Sequence, residues 1–200
     1  MARVIGLTGN IASGKSTIAS LLQELGARII DADKVAHQVM SPPGPVFDEI
    51  VRVFGPTVVA PDGTIDRRKL GAIVFSDPAA LRRLDSTVHP STGAAIRSLI
   101  AESGDAVVVI EAIKLIESGT YQTCDAVWVV SCPPDQQIDR LVTTRGFEPE
   151  EAECRVRAQS PLSAKLPFAT DVIDTSGTLA DTRRETLAAW KRFTTSPEAT

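Results

Sequence analysis

Gly9-Asn10-Ile11-Ala12-Ser13-Gly14-Lys15-Ser16-Thr17 is the densest concentration of chemistry in this chain. It fits G-x-x-x-x-G-K-[ST], directly after a β-branched run and directly before an amphipathic one, the context a phosphate-binding loop requires. Main-chain N–H groups around Ser13 to Ser16 converge on an anion, and the helix that follows turns its positive end to the same point. Gly9 and Gly14 permit turns and a close approach that a Cβ would obstruct. Lys15 supplies a charge for β- and γ-phosphates, and the Ser16 hydroxyl can complete a magnesium shell. A glycine-rich helix cap would explain the glycines, but it leaves the Lys-Ser pair and the flanking elements without a reason.

A phosphate loop alone does not choose between switch GTPases, motor ATPases and small-molecule kinases. The guanine-reading Asn-Lys-x-Asp is absent, and Asp174-Thr175-Ser176-Gly177 matches D-x-x-G only in the wrong order, after the last strand. Ile30-Asp31-Ala32-Asp33 ends the second strand, at the carboxyl edge where α/β sheets meet their ligands. A carboxylate there can take a proton from an acceptor hydroxyl or help hold magnesium. Asp33 is equally placed to cap a helix over Lys34–Met40, and the two roles can coexist. Val107-Val108-Val109-Ile110-Glu111 reads as a strand ending in a metal-organising acid, or as a buried strand with an acid at its exposed tip. Arg140 and Arg145 close a helix, and Arg155, Arg157 and Lys165 follow. Mobile arginines on a lid over Leu141–Leu166, hinged near Gly146 and Pro161, would neutralise a phosphoryl group in transit. The other reading is a solvated basic face paired with Glu148, Glu150, Glu151 and Glu153. His89, before Pro90, reads as a helix-end or packing histidine, and His37 as a surface residue.

The elements that must position these groups alternate. Strands are expected at Val4–Thr8, Ala27–Ile30, Ala106–Glu111, Ala126–Val130 and Asp171–Asp174. Helices are expected at Ser16–Leu25, Asp33–Met40, Val46–Phe54, Pro78–Val88, Thr92–Glu102, Asp135–Thr144 and Leu179–Phe193. Several strands are apolar throughout, as in a parallel sheet covered on both faces, so the fold class is a three-layer α/β fold. No main-sheet strand falls between Lys34 and Ser103, which reads as a helical insertion with a small hairpin around Val58–Ile65. Asp77-Pro78 marks a helix start, and Gly26 and Gly104 mark helix stops. The resulting division is a core of 1–33, 104–140 and 167–194, an insertion of 34–103, a lid of 141–166 and a disordered tail of 195–200.

Composition bounds the partners. Across 200 residues, 43% are hydrophobic and 4% aromatic, so aliphatic side chains must build the core. Lys plus Arg number 21 against 25 Asp plus Glu, a net charge of −4, which argues against a general nucleic-acid binder. Cys124, Cys132 and Cys154 lack paired metal spacing and read as free thiols of a reducing compartment. No apolar run reaches the ~20 residues of a membrane span, and Met1–Thr8 reads as a strand rather than a signal peptide. A cytoplasmic protein follows; the composition does not set the oligomeric state, for which a monomer is favoured.

The full set of motifs resembles the dephospho-coenzyme A kinase family over nearly the whole chain. The likeness rests on Leu7 to Thr17, Asp31 to His37, Asp66 to Gly71, Val74 to Asp77, His89-Pro90, Arg140 with Arg145, and Val172 to Asp174. It implies ATP-dependent phosphorylation of the ribose 3′-hydroxyl of dephospho-coenzyme A, with Mg2+, on a P-loop fold of the nucleoside-monophosphate-kinase type. That fold has about five parallel strands, an acceptor-binding helical part and a lid. Carried over, Gly9 to Thr17 with Arg140 and Arg145 would bind ATP, Ser16 the metal, and Asp33, Lys15 and Arg140 would act in catalysis. Asp31, Arg67, Lys69, His89, Glu111 and Lys114 would meet the acceptor. Three departures stand out. Ala12 replaces a frequent glycine, which requires a negative φ to be unstrained. Lys114 adds a charge that could contact a substrate phosphate or pair with Glu111 or Asp33. Thr175 replaces a common asparagine. Another small-molecule or nucleoside monophosphate kinase, or a non-catalytic switch, remains as an alternative on the residues alone.

Overall fold

The computed structural model describes residues 2–104 and 106–195. In chain order its elements are β1 (Val4–Gly9), α1 (Lys15–Glu24), β2 (Arg28–Asp31), α2 (Ala32–Val39), α3 (Pro45–Phe54) and α4 (Arg67–Ser76). Then come α5 (Pro78–Ala101), β3 (Val108–Glu111), β4 (Ala126–Ser131), α6 (Pro134–Arg145), α7 (Pro149–Arg157), β5 (Asp171–Asp174) and α8 (Leu179–Thr195). They form two compact units, one of residues 31–102 and one of the described residues on either side.

The larger unit is built on a five-stranded sheet in the order β2-β3-β1-β4-β5. β1 lies between β3 and β4 in parallel register, with Ile5 opposite Val109 on one side and Ala126 on the other. β4 pairs in parallel with β5. One sheet face puts Ile5, Leu7, Trp128 and Val130 against Ile18 and Leu22 of α1 and Ala189 and Phe193 of α8. The alternate residues Val4, Val108, Ile110, Val127 and Val129 are buried as well. Both faces of β1, β3 and β4 are dry, so these strands read as apolar runs without alternation. Asp174 is held low chiefly by the Ser176 N–H at the end of β5. Thr178 and Asp181 form a reciprocal box at the start of α8: each side chain accepts from the other's N–H, at 3.2 and 3.1 Å.

In the helical unit α2, α3 and α4 pack on α5. Val46 and Ile50 of α3, Val58 of the 3-10 turn Pro56–Val58, Leu70 and Val74 of α4, and Ala80 and Val88 of α5 make its core. The expected hairpin is a single antiparallel bridge, Val59 to Ile65. The two helices expected around His89-Pro90 are one continuous helix, α5. Pro90 removes one hydrogen bond and lies exposed, while Val88 and Ile96 stay buried on either side of it, so tertiary packing carries the helix through. Asp77 caps α5, accepting from Ala79 N at 2.8 Å.

Periodicity predicts neither α4 nor α7. α4 opens on three basic residues and holds Gly71; its signal is Asp66, which accepts from the N–H groups of Arg68 and Lys69, both at 3.1 Å. α7 is mostly charged, with Ala152 its buried residue. Of the tail expected from residue 195, Thr195 closes α8 and residues 196–200 lie outside the described residues. Among the described residues no helix is long and apolar enough to cross a membrane.

Candidate active site

β1 delivers its last residue, Gly9, to the sheet's carboxyl edge with φ +155°. A Cβ there would come within 2.7 Å of the Val130 carbonyl oxygen and 2.8 Å of Ser13 Oγ, so the loop leaves the strand only through glycine. Gly14, at φ +93°, caps α1 without offering a side chain. Thr17 and Ile18 donate to the Gly14 carbonyl at 3.1 and 3.2 Å. The N–H groups before them have no intrahelical acceptor and are presented to the loop. Lys15 is buried and folds back, its Nζ donating to the Asn10 carbonyl at 2.9 Å. Ser13 Oγ is buried without a protein partner, and Ser16 and Thr17 are exposed on the first turn.

Ala12 corrects the sequence reading: its φ is +54°, not negative. A left-handed alanine costs about 1–2 kcal/mol over glycine's freedom there. Its carbonyl accepts from Arg140 Nη1 at 3.3 Å. The same guanidinium donates to Thr175 Oγ1 at 3.2 Å and to the Thr175 carbonyl at 2.5 Å. Thr175 in turn is buried, its hydroxyl within 2.7 Å of the Ser13 carbonyl and 3.1 Å of the Ser131 carbonyl. Arg140 is thus fixed on α6 by neutral oxygens rather than carried on a mobile lid. Ala12, Gly14, Ser16, Arg140, Arg145 and Thr175 line an open pocket of about 340 Å3.

The lid residues divide. Arg155 pairs with Glu151 at 2.9 Å and stacks on Phe147, and Arg157 pairs with Glu153 at 2.5 Å. These are i,i+4 pairs on α7, the solvated-face reading. Lys165 is buried and turned to Glu117, so it is no lid cation. Two contacts that spacing could not reveal join the lid exit to the loop: Ile11 N donates to Gln159 Oε1 at 2.8 Å, and Asn10 Nδ2 to the Ser160 carbonyl at 3.3 Å.

Among the acids, Asp31 rather than Asp33 caps α2, accepting from Lys34 N at 3.0 Å. α2 begins at Ala32, and a cap must stand just before the first helical residue in extended backbone, as Asp31 does at φ −81° and ψ 102°. Asp33 is left exposed in the first turn, where the helix field favours its charge. Glu111, half-buried, ends β3 in register with Leu7. Lys114 is exposed on the turn that follows, and its charge is among those that hold Glu117 low.

In the helical unit, Arg67 and Lys69 are exposed on the first turn of α4, and His89 lies 3.6 Å from Asp85 along α5. His37 is half-buried. It shares a pocket of about 380 Å3 with Met40, Arg67, Leu70 and Phe75. Burial first, and then the Arg67 charge, push its pKa down, while Asp33 and Asp31 pull it back up.

All three cysteines are free. Burial pushes the Cys124 thiol up to about 12, and it also raises that of Cys132. Neither acts as a nucleophile in that state. The larger unit therefore offers main-chain donors at a helix start and oriented cations beside an open pocket, an arrangement chemically suited to a polyphosphate tail.

Comparison with known proteins agrees with this geometry. The family model for dephospho-CoA kinase matches residues 3–181. A dephospho-CoA kinase of Symbiobacterium thermophilum is 46% identical over 192 residues, which cover 94% of this chain and 80% of that one. A Thermus thermophilus crystal structure, TT1252, superposes with a TM-score of 0.86 at 32% identity, covering 98% of this chain and 99% of that one. The Campylobacter jejuni dephospho-CoA kinase superposes with a TM-score of 0.69 at 27% identity, covering 96% and 98%.

Proposed function

This chain belongs to the dephospho-CoA kinase family, and from that premise we propose that it transfers the γ-phosphoryl group of ATP to the ribose 3′-hydroxyl of dephospho-CoA, giving CoA and ADP. The observation that carries the reading is the cradle from Gly9 to Thr17, fixed from behind by Arg140 and Thr175. Transfer is direct and in line. Phosphoryl transfer asks little covalent chemistry of the protein, so positioning and charge do the work.

The roles follow from the residues. Main-chain donors of the loop and Lys15 hold the β- and γ-phosphates, and Arg140 and Arg145 border the pocket for the rest of the nucleotide. Asp33 orients the acceptor hydroxyl and takes its proton. Asp31, Arg67, Lys69, His89, Glu111 and Lys114 meet the acceptor, the cations serving its diphosphate.

Magnesium fits this set in one way. Among the described residues no group of three or more His, Cys, Asp or Glu could hold a metal. The Ser16 hydroxyl, exposed at the first turn of α1, would be the protein's ligand to an ion that arrives with the triphosphate and keeps several waters. When bound, the ion neutralises charge on the phosphates. The protein acts as a cytoplasmic monomer in this reading.

A coupled assay for ADP release across dephospho-CoA, nucleoside monophosphates, shikimate and gluconate tests the proposal. Release with dephospho-CoA alone is expected. Release with another acceptor in its place would assign a different kinase, and ATP binding without release from any acceptor would assign a switch.

A further inference from the structure

Lys165 is 2% exposed, and no step above uses it. It follows the 3-10 turn Leu162–Ala164, on the segment leading from α7 to β5. Its ammonium donates to the Ile113 carbonyl at 2.9 Å and to Glu117 Oε1 at 2.6 Å. Both partners belong to the turn 112–118 that follows β3. A third group meets them: the buried hydroxyl of Thr8, on β1 just before the phosphate loop, donates to the same Ile113 oxygen at 3.2 Å. The segment is fastened at both ends. Upstream, Gln159 and Ser160 bond to Ile11 and Asn10 of the phosphate loop. Downstream, the Phe168 ring meets Tyr121 edge-on at 4.8 Å.

A buried ammonium is costly unless it is paired and hydrogen-bonded, so filling space alone does not account for a lysine here. A lysine adds direction. Its N–H donors reach two acceptors four residues apart in one turn and hold the shape of that turn. Burial raises the Glu117 carboxyl, and the Lys165 hydrogen bond with the charges of Lys165 and Lys114 overcomes this, so Glu117 sits below its ordinary value.

We propose that Lys165 is a positioning residue for the acceptor: through Ile113 and Glu117 it keeps the turn bearing Lys114, and Glu111 just before it, in fixed relation to the phosphate loop. The inference rests on the functional reading above, in which that turn faces dephospho-CoA. It assigns the far end of the lid segment a part in acceptor binding, distinct from any contact with ATP.

Two variants of the full chain test it. Lys165→Met keeps the length and removes the charge, and Glu117→Gln keeps the size and weakens the bond. Steady-state kinetics with each substrate varied, together with amide hydrogen exchange, give the readout. In both variants the KM for dephospho-CoA rises about tenfold while the KM for ATP stays within about twofold. Exchange quickens over residues 112–118 and keeps its wild-type rate over residues 9–17. A dephospho-CoA KM within twofold of wild type, or an ATP KM that rises equally, overturns the proposal. If Lys165→Met does not fold, Glu117→Gln decides by the same criteria. A wild-type chain inactive on dephospho-CoA sinks the functional reading instead, and unchanged exchange over 112–118 in the variants then sinks the role of Lys165.

Discussion

Asp33 and Thr175 show how differently single residues can be tied to chemistry. Asp33 is proposed as the base, so Asp33→Asn is expected to lower kcat by about 10²–10⁴-fold while ATP binds as before. Turnover close to wild type, with calorimetry showing unchanged ATP affinity, would remove the assignment. Thr175 touches no reacting atom in the proposal, yet its hydroxyl joins the Ser13 and Ser131 carbonyls and receives Arg140. Thr175→Val should raise the KM for ATP about tenfold, equivalent to about 1.4 kcal/mol, with the KM for dephospho-CoA unaffected. Equal losses for both substrates would instead mark a general destabilisation. The loop was legible in the sequence because its spacing is itself the chemistry: glycines where the chain must turn, then lysine and serine where phosphate and metal must be met. The left-handed Ala12 and the junction at Thr175 were not. The first depends on a dihedral that alanine rarely adopts, and the second on β5 lying beside β4, which no local pattern states.

Helix ends were the most readable elements and helix interiors the least. Asp77 before Pro78 announced α5, but the proline inside it suggested a break that packing on both sides overrides. One capping pattern, Thr178-Leu179-Ala180-Asp181, stands in the sequence just ahead of the apolar periodicity that marks α8. It carries a pH prediction. Asp181 is held down to about 2 from 3.8, first by the Thr178 hydroxyl, then by Arg184 and the Thr178 N–H. A carboxyl with a depressed folded-state pKa contributes its stability above the unfolded value and loses it as pH falls through the folded one. The wild type should therefore be more stable than Asp181→Asn near neutrality, and the difference should shrink as pH falls from about 4 to 2. Urea unfolding of both proteins across that range checks it, and a gap that is constant with pH contradicts the assignment. The Arg155 and Arg157 pairs on α7 deserve no such weight, since exposed ion pairs contribute only about 0–1 kcal/mol each.

At the scale of the molecule, a chain of net charge −4 gathers its phosphate-binding donors in one unit and leaves the helical unit with its own separate core. Ligand stabilises what it binds, by about 2.7 kcal/mol at a hundredfold excess over Kd. ATP should therefore slow hydrogen exchange over residues 9–17, 140–145 and 175–182, while residues 46–58 and 70–88 keep their unliganded rates. Equal slowing in both sets would mean that the two cores open together. The α/β alternation was readable because each strand is short and punctuated, with an apolar run or an apolar pair at its centre, whereas the pairing order was beyond local pattern. That order has a consequence for biosynthesis. β1 is translated well before both of its neighbours, residues 108–111 and 126–131. β1 waits unpaired until residues 108–111 have been added and have cleared the ribosome, and it gains its second neighbour only after residue 131. During that interval its apolar run has no sheet to join, and an emerging chain would be a client for whatever chaperone shields bare strands.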